Sequence, residues 1–330
     1  MENIQSTLDK LAAQSDSRIS VFDIEILRLQ NTTLTLCGRL LDESQLETLL
    51  GHFSNWKLDT AAIRILHADN LPRCHVATNL TGLYAKPTFR MPLSSELYYG
   101  TEVEILEEQG DWFFTRQQDG YLGWAYKIYL AEGPAPKATH LVLAPSCELR
   151  DKPSAAGEIL TRVVSGTAVS LEQTRGEWAR VKADQTGWMP LSLLRAIDEL
   201  PGSLKEKRKT LIQDSAAMTG VPYLWGGGSG NGIDCSGFTR LLHRWVGVEI
   251  PRDADLQHAA AKPVEPPFEV GDLIFFRENG SERSITHVGV SLGGWEMIHS
   301  SRKRNGVHVD DVQQREDLKR NFVSAGSFLR

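Results

Sequence analysis

The chain is poor in cysteine, in long apolar runs and in excess charge of either sign. Four cysteines are scattered through 330 residues without a CxxC pair, so we expect neither a disulfide framework nor a cysteine zinc site. No segment approaches the roughly 18 consecutive apolar residues that cross a bilayer. The 36 basic and 42 acidic residues leave a net charge of -6, so we expect neither nucleic acid nor a membrane as partner.

The N-terminus, MENIQSTLDKLAAQSDSR, carries neither the basic start nor the apolar block of a secretion signal. Together with four unpaired thiols, this predicts a cytoplasmic protein. With 41% hydrophobic and 24% charged residues, the composition is that of a soluble globular protein. At about 150 residues per domain, the length predicts two domains or three small ones, and we expect a monomer.

Residues 1–72 predict a small α/β module, because helical and strand patterns alternate there. After an N-terminal helix, apolar and polar residues alternate at 19–29 and 33–40, as in half-buried strands. A helix is predicted at 42–53 and a third strand at 59–67. This order resembles the small BON module in outline. No pattern in it indicates chemistry, so we expect a structural or docking module.

An internal repeat occupies the middle of the chain. The motif LYAKP at 83–87 recurs as LRDKP at 149–153, and each copy continues with Gly-Thr, Trp and Gly-Trp in the same order. Short strands separated by glycine, proline and polar turns are typical of a small closed β-barrel. The motif order resembles the bacterial SH3-like domain. We therefore expect two such domains, at 73–133 and 138–197.

A second pattern predicts a cysteine at the start of a buried helix. The apolar residues of one helical face are Phe238, Leu241, Leu242, Trp245 and Val246. Asp234 is the natural N-cap and Gly247 the natural stop. Cys235 then lies in the first turn, where unpaired backbone N–H groups and the helix dipole favour an anion, so we expect a lowered thiol pKa. A small buried core thiol is the alternative.

Two histidines lie on neighbouring strand patterns, 285–292 and 295–300. If the connection is an odd-numbered loop centred on Gly293, His287 and His299 pair directly on one face. A two-residue turn would instead put them on opposite faces. Paired histidines beside glycine and serine are typical of a cleft lining rather than of a core.

A cysteine, a histidine and a third group that orients the histidine form a nucleophile–base–orienter arrangement. His287 would take the proton of the Cys235 thiol, and His299 would hold the His287 ring in the productive tautomer. The backbone N–H of Cys235 is a candidate oxyanion-hole donor. This chemistry requires no cofactor and no metal, and the histidine spacing offers no zinc motif.

These residues belong to motifs that resemble the NlpC family of papain-like bacterial cell-wall cysteine peptidases. The matching segments are YLWGG at 223–227, GIDCSGF at 232–238, IPRD at 250–253, Gln257, GDLIFF at 271–276, HVG at 287–289 and HS at 299–300. The resemblance implies an α+β, papain-like domain at 200–330, in which the cysteine helix packs on an antiparallel sheet. It also implies that Cys235 is the nucleophile, His287 the base and His299 the third catalytic residue.

Two SH3-like domains before such a domain resemble the γ-D-glutamyl-L-diamino acid endopeptidases. The resemblance implies a murein tripeptide or tetrapeptide substrate whose free N-terminal L-Ala amine is held by a tyrosine and an aspartate. The matching residues here are Tyr121 and Asp253. Asp255 is an alternative carboxylate, while a barrel-core aromatic and a turn or cap residue are the structural alternatives.

Two positions depart from the subfamily pattern. Lys86 stands where an acidic residue is common, and Ala254 stands where a serine is common. We therefore expect Ser236 to supply the missing hydrogen bond to substrate. Trp225 either stacks on the substrate backbone or belongs to the core, and Asp234 is counted with the substrate-binding residues.

The leading prediction is a cysteine peptidase that recycles cell-wall peptides. One alternative is a non-catalytic peptidoglycan-binding or docking protein, in which the repeated domains do the work. Another keeps the nucleophile but performs acyl transfer or amide hydrolysis on a different substrate.

Overall fold

The computed structural model describes residues 2–278, 280–281 and 284–329. The N-terminal unit contains α1 (Glu2–Gln14), β1 (Phe22–Gln30), β2 (Thr33–Leu40), α2 (Glu43–His52) and β3 (Lys57–Ile65). The predicted order of helix, strand, strand, helix, strand is confirmed. Strand β2 is central, antiparallel to β1 and parallel to β3. The helices bury apolar residues against the sheet, and α2 begins with a capping box between Asp42 and Gln45.

Two seven-stranded antiparallel sheets follow. The first contains β4 (Arg73–Val76), β5 (Leu80–Tyr84), β6 (Leu93–Tyr98), β7 (Glu102–Gln109), β8 (Trp112–Gln117), β9 (Leu122–Tyr126) and β10 (Leu130–Glu132). The second contains β11 (His140–Val142), β12 (Ser146–Arg150), β13 (Ile159–Val164), β14 (Ala168–Arg175), β15 (Trp178–Lys182), β16 (Thr186–Pro190) and β17 (Leu194–Ala196).

The two sheets share one topology. The first has the order β10-β4-β7-β8-β9-β5-β6, and the second repeats it strand for strand as β17-β11-β14-β15-β16-β12-β13. Equivalent sequence motifs occupy equivalent places, because Trp112 is the first residue of β8 and Trp178 is the first residue of β15, the corresponding strand of the second sheet. Leu83 and Leu149, the first residues of the two repeated motifs, are both fully buried. The repeat therefore encodes two copies of one SH3-like fold, as predicted.

The C-terminal unit is an α+β fold built on a six-stranded antiparallel sheet of order β20-β25-β21-β22-β23-β24. Its elements are α3 (Leu204–Ser215), β18 (Gly228–Ser229), β19 (Gly232–Ile233), α4 (Cys235–Trp245), α5 (Ala254–Ala260), β20 (Lys262–Val264), β21 (Leu273–Phe276), β22 (His287–Gly293), β23 (Glu296–Ser301), β24 (Gly306–Asp311), α6 (Glu316–Asn321) and β25 (Phe322–Ser327). Helix α4 packs against β22 and β23. Its predicted apolar face is fully buried, which fixes the cysteine end of the helix over the sheet.

Both SH3-like units contact the C-terminal unit. Strand β6 of the first unit lies against the glycine-rich loop at 226–232, where the Gly228 N–H donates to Glu96 at 2.8 Å. A Cβ atom at Gly226 would come within 2.3 Å of the Leu93 carbonyl oxygen, so the close approach requires glycine there. The second unit accepts a 3.1 Å hydrogen bond from the indole of Trp245 at the Val142 carbonyl. Within the described ranges, no helix is long and apolar enough to cross a membrane.

Candidate active site

Cys235 is the first residue of α4, with Asp234 as N-cap, as the sequence predicted. Asp234 accepts hydrogen bonds from the backbone N–H groups of Gly237 at 2.7 Å and Gly226 at 2.9 Å. It also receives two from Arg252, at 2.8 and 3.0 Å. With a fifth hydrogen bond from the Ser236 hydroxyl at 3.3 Å, the Asp234 carboxylate is engaged within the protein, so the geometry does not support its predicted role in substrate binding. Asp234 instead ties the glycine-rich loop to the helix that carries the nucleophile.

The Ser236 side chain is also engaged within the protein. Its hydroxyl donates to Asp234 at 3.3 Å and accepts from Arg252 at 3.0 Å, and the residue is buried. The expected hydrogen bond from Ser236 to substrate is therefore not supported by the geometry. Arg252, which sequence reasoning left without a role, is the buried cation that neutralises Asp234. The sequence signal for Arg252 was its place in the IPRD motif at 250–253.

The two histidines meet, but not in the predicted register. Val290 pairs with Ile298, and this register puts His299 opposite Gly289 rather than His287. The connection between β22 and β23 is the two-residue turn expected to separate the histidines. A bulge at Leu292 adds one residue to β22, and this extra residue returns His287 to the face of the sheet that carries His299. The His287 Nε2 atom consequently lies 2.7 Å from His299 Nδ1.

A carboxylate extends this pair. His299 Nε2 lies 3.0 Å from an Asp310 oxygen, and an ionised carboxylate can only accept. His299 therefore carries its proton on Nε2 and accepts at Nδ1 from His287 Nε2–H. That leaves the His287 Nδ1 atom without a proton, which is the form a general base needs.

Sequence reasoning missed Asp310. Its side chain is buried and bonded by Arg304 and Arg315. Burial opposes ionisation, but the His299 hydrogen bond and the two arginines hold the pKa of Asp310 below its usual value. The available signal was parity, because Asp310 lies two residues after His308, the cross-strand neighbour of His299.

The thiol does not have the lowered pKa that its helix position predicted. Cys235 is 8% exposed, and burial together with the charge of Asp234 raises its pKa to about 12, against hydrogen bonding from the Val288 N–H. Burial and the neighbouring His299 lower the pKa of His287 well below its usual value. Both shifts favour the uncharged forms, a neutral thiol and a neutral imidazole. Helix-terminus stabilisation is outweighed by desolvation here.

A cavity of about 240 Å³ opens beside the histidines. Trp225 lines it and is 53% exposed, so the core alternative for this residue is wrong and its ring is available for stacking. Tyr223, which sequence reasoning quoted only as part of a motif, lines it too and lies near Cys235. Burial and the cysteine charge raise the pKa of Tyr223. Three cationic side chains complete the rim: Arg302, Lys303 and Arg315.

Tyr121 and Asp253 come from different units and meet. The Tyr121 hydroxyl donates to Asp253 Oδ2 at 3.0 Å, while its ring is buried in the core of the first SH3-like unit. Asp253 occupies the N-cap position of α5, yet its side chain makes no capping hydrogen bond. The Asp253 carboxylate therefore accepts from the tyrosine hydroxyl and does not cap the helix. The assigned role of the pair, binding an amine, stays a prediction.

A third partner of this pair was not foreseen. Arg18, in the loop after α1, donates to Asp253 and Asp255 at 2.8 Å each. Lys86 is exposed and supplies no carboxylate, and Ala254 supplies no hydroxyl. No sequence pattern could have linked Arg18 to this site, because 235 residues separate it from Asp253. Among the side chains that the structure describes, no cluster of histidine, cysteine or carboxylate groups could hold a metal ion.

Three segments of the chain match known protein families. The NlpC/P60 family model matches residues 220–325, the bacterial dipeptidyl-peptidase SH3 domain matches 83–125, and a bacterial SH3 domain matches 144–195. The chain is 30% identical over 233 residues to a γ-D-glutamyl-L-lysine dipeptidyl-peptidase of Bacillus subtilis, covering 66% of this chain and 75% of that protein. It is 26% identical to dipeptidyl-peptidase 6 of Lysinibacillus sphaericus, covering 77% of this chain and 98% of that protein.

The fold has a solved counterpart. The crystal structure of an NlpC/P60 family protein from Bacillus cereus matches with a TM-score of 0.66 at 23% identity, covering 78% of this chain and all of that one. The Bacillus subtilis relative is 30% identical and is covered over 75% of its length, and the NlpC/P60 family model matches the unit that carries Cys235, His287 and His299, so the chain belongs to the NlpC/P60 family of cell-wall cysteine peptidases.

Proposed function

We propose that this peptidase hydrolyses the γ-D-glutamyl–diamino acid bond of murein peptides that begin with a free L-Ala amine. The observation that carries the proposal is the 3.0 Å contact between the Tyr121 hydroxyl and the Asp253 carboxylate. A carboxylate and a phenolic oxygen suit an ammonium group, since both can accept its hydrogen bonds. The names of the two Bacillus relatives, both γ-D-glutamyl-L-lysine dipeptidyl-peptidases, support the same bond class.

The chemistry follows from the tautomers at the site. His287 Nδ1 takes the thiol proton as the Cys235 sulfur attacks the γ-carbonyl carbon of D-Glu. The backbone N–H of Cys235, in the first helical turn and without an intrahelical partner, stabilises the oxyanion. The C–N bond then breaks, and His287 returns its proton to the leaving amine.

Deacylation completes the cycle. Water attacks the thioester while His287 accepts a proton, the dipeptide L-Ala-γ-D-Glu leaves, and the thiol regains its proton. His299 and Asp310 hold the imidazolium that forms in both halves of the reaction. This network is what favours an enzyme over a docking protein built only from the SH3-like units.

The direct test is hydrolysis of L-Ala-γ-D-Glu-diamino acid tripeptides, with either lysine or meso-diaminopimelate third, followed by chromatography of the products. We expect release of L-Ala-γ-D-Glu by the wild-type protein and none by Cys235→Ala. The N-acetylated tripeptide should be cleaved far more slowly. Equal cleavage of both forms, or cleavage of cross-linked wall with the tripeptide left intact, would refute the proposal.

We also propose that the protein acts in the cytoplasm on imported peptides. All four cysteines are free, as suits a reducing compartment, and a free-amine requirement suits small fragments. Cell fractionation tests the location. Accumulation of free-amine tripeptides in cells that lack the protein tests the recycling role, and unchanged tripeptide levels would contradict it.

A further inference from the structure

Arg18 is a fixed cation at the proposed amine site. Its guanidinium uses all five N–H donors on three carboxylates. The five contacts are Nε to Asp16 at 2.9 Å, Nη1 to Asp253 and Asp255 at 2.8 Å each, and Nη2 to Asp16 at 2.6 Å and to Asp255 at 2.8 Å. A planar fork with every donor satisfied is held in one orientation. The charge therefore cannot swing away from Asp253 without losing several hydrogen bonds.

The same loop also touches the tyrosine side of the site. The Arg18 carbonyl accepts a 2.7 Å hydrogen bond from the backbone N–H of Leu122, the residue after Tyr121. One residue of the N-terminal unit thus contacts both neighbouring units at the point where Tyr121 and Asp253 meet. The unit that showed no chemistry in its sequence borders the predicted amine site.

Arg18 and a substrate ammonium would share one carboxylate. Asp253 Oδ2 already accepts hydrogen bonds from Arg18 and Tyr121, and Arg252 lies 4.0 Å from Oδ1. An ammonium bound to Asp253 would lie close to the guanidinium. Two positive charges that share one carboxylate repel each other appreciably where burial reduces solvent screening.

We propose that Arg18 is a specificity-determining residue that weakens ammonium binding at Asp253. The inference rests on the proposed function, because it takes the Tyr121–Asp253 pair as the amine site. Substrate and the dipeptide product carry the same ammonium, so the repulsion acts on both equally. A cation that weakens the binding of both raises KM and the inhibition constant of the product, without altering the transition state relative to the bound substrate.

The test is Arg18→Gln, which keeps a hydrogen-bonding side chain and removes the charge. We expect KM for the free-amine tripeptide to fall several-fold, and the inhibition constant of L-Ala-γ-D-Glu to fall by the same factor. The change should fall on KM rather than kcat. Cleavage of the N-acetylated tripeptide should not change, because that substrate has no ammonium to be repelled.

Arg39→Gln is the matched control. Arg39 also joins the N-terminal unit to the first SH3-like unit, through a 2.6 Å contact with Glu107, but it has no contact with Asp253. We expect its KM to equal that of the wild type. An unchanged or raised KM in Arg18→Gln, or equal shifts in both variants, would overturn the inference. A wild-type protein that cleaves free and acetylated substrates equally would instead remove the proposed function and, with it, the basis for this inference.

Discussion

The Nε2 atom of His287 lies 2.7 Å from Nδ1 of His299 because one extra residue, Leu292, bulges from the strand between them. Without the bulge, the two-residue turn would place the rings on opposite faces of the sheet. The contact matters chemically because Asp310 fixes the proton on the far nitrogen of His299. The buried carboxylate of Asp310 therefore sets the tautomer of His299, and His299 in turn sets the tautomer of the base, His287.

Asp310→Asn should lower kcat by roughly a hundredfold or more with little change in KM. The amide keeps the size of the side chain but can donate to His299, which favours the wrong tautomer along the whole chain. Steady-state kinetics on the tripeptide measures this. Asp311→Asn, which changes the exposed neighbouring carboxylate, is the control, and comparable activity of the two variants would contradict the relay.

Alkylation of Cys235 should accelerate with pH well beyond neutrality. With a thiol pKa of about 12, the thiolate fraction rises about tenfold per pH unit up to that value. Iodoacetamide labelling followed by mass spectrometry between pH 7 and 10 measures the rate, with Cys235→Ser marking the background from the other thiols. A rate that is flat over this range would indicate a preformed thiolate–imidazolium pair.

The pH profile of kcat/KM should be asymmetric. His287 must be neutral to act as base, and its pKa is lowered by burial, so activity should persist below pH 6.5 and fall only as pH drops through that lowered value. On the alkaline side, the substrate amine deprotonates near pH 8 and the ammonium contact is lost. Acetylated substrate should lack this alkaline limb, and an identical limb for both substrates would count against the amine site.

Asp253→Asn should raise KM for the free-amine tripeptide by about 10- to 100-fold, since a hydrogen bond to a charged group contributes about 1.5–3 kcal/mol. Tyr121→Phe, which removes one oxygen but no charge, should raise it less. Both are measured against N-acetylated tripeptide in the same assay. If either variant affects both substrates equally, its effect is on folding rather than on ammonium binding.

Arg252→Leu should destabilise the catalytic unit by about 3–5 kcal/mol, because it leaves the Asp234 carboxylate buried without its counter-charge. Chemical denaturation followed by tryptophan fluorescence measures the loss. Arg180→Leu breaks an exposed pair with Glu172 and should cost less than about 1 kcal/mol. Similar losses in the two variants would show that the buried pair is not the stabilising contact.

Local patterns in the sequence determined much of the fold. The alternation at 33–40 predicted β2 to the residue, and the Asp234 cap with its apolar stripe predicted where α4 begins. The internal repeat predicted two units that turn out to share one strand order. These features depend on neighbours within a few residues or on a motif copied whole, so a linear pattern carries them.

Tertiary packing decided the rest of the site. Three features of the site depend on how strands and units pair in the folded chain, which no local pattern encodes. They are the bulge at Leu292, the carboxylate of Asp310 and the cation of Arg18. The thiol pKa moved opposite to its helix position because desolvation, a property of the folded interior, outweighs the helix terminus. The sequence by itself predicted the cysteine and the two histidines of the candidate site; only the fold decided their register, protonation and partners, because burial and long-range pairing exist only once the units have packed together.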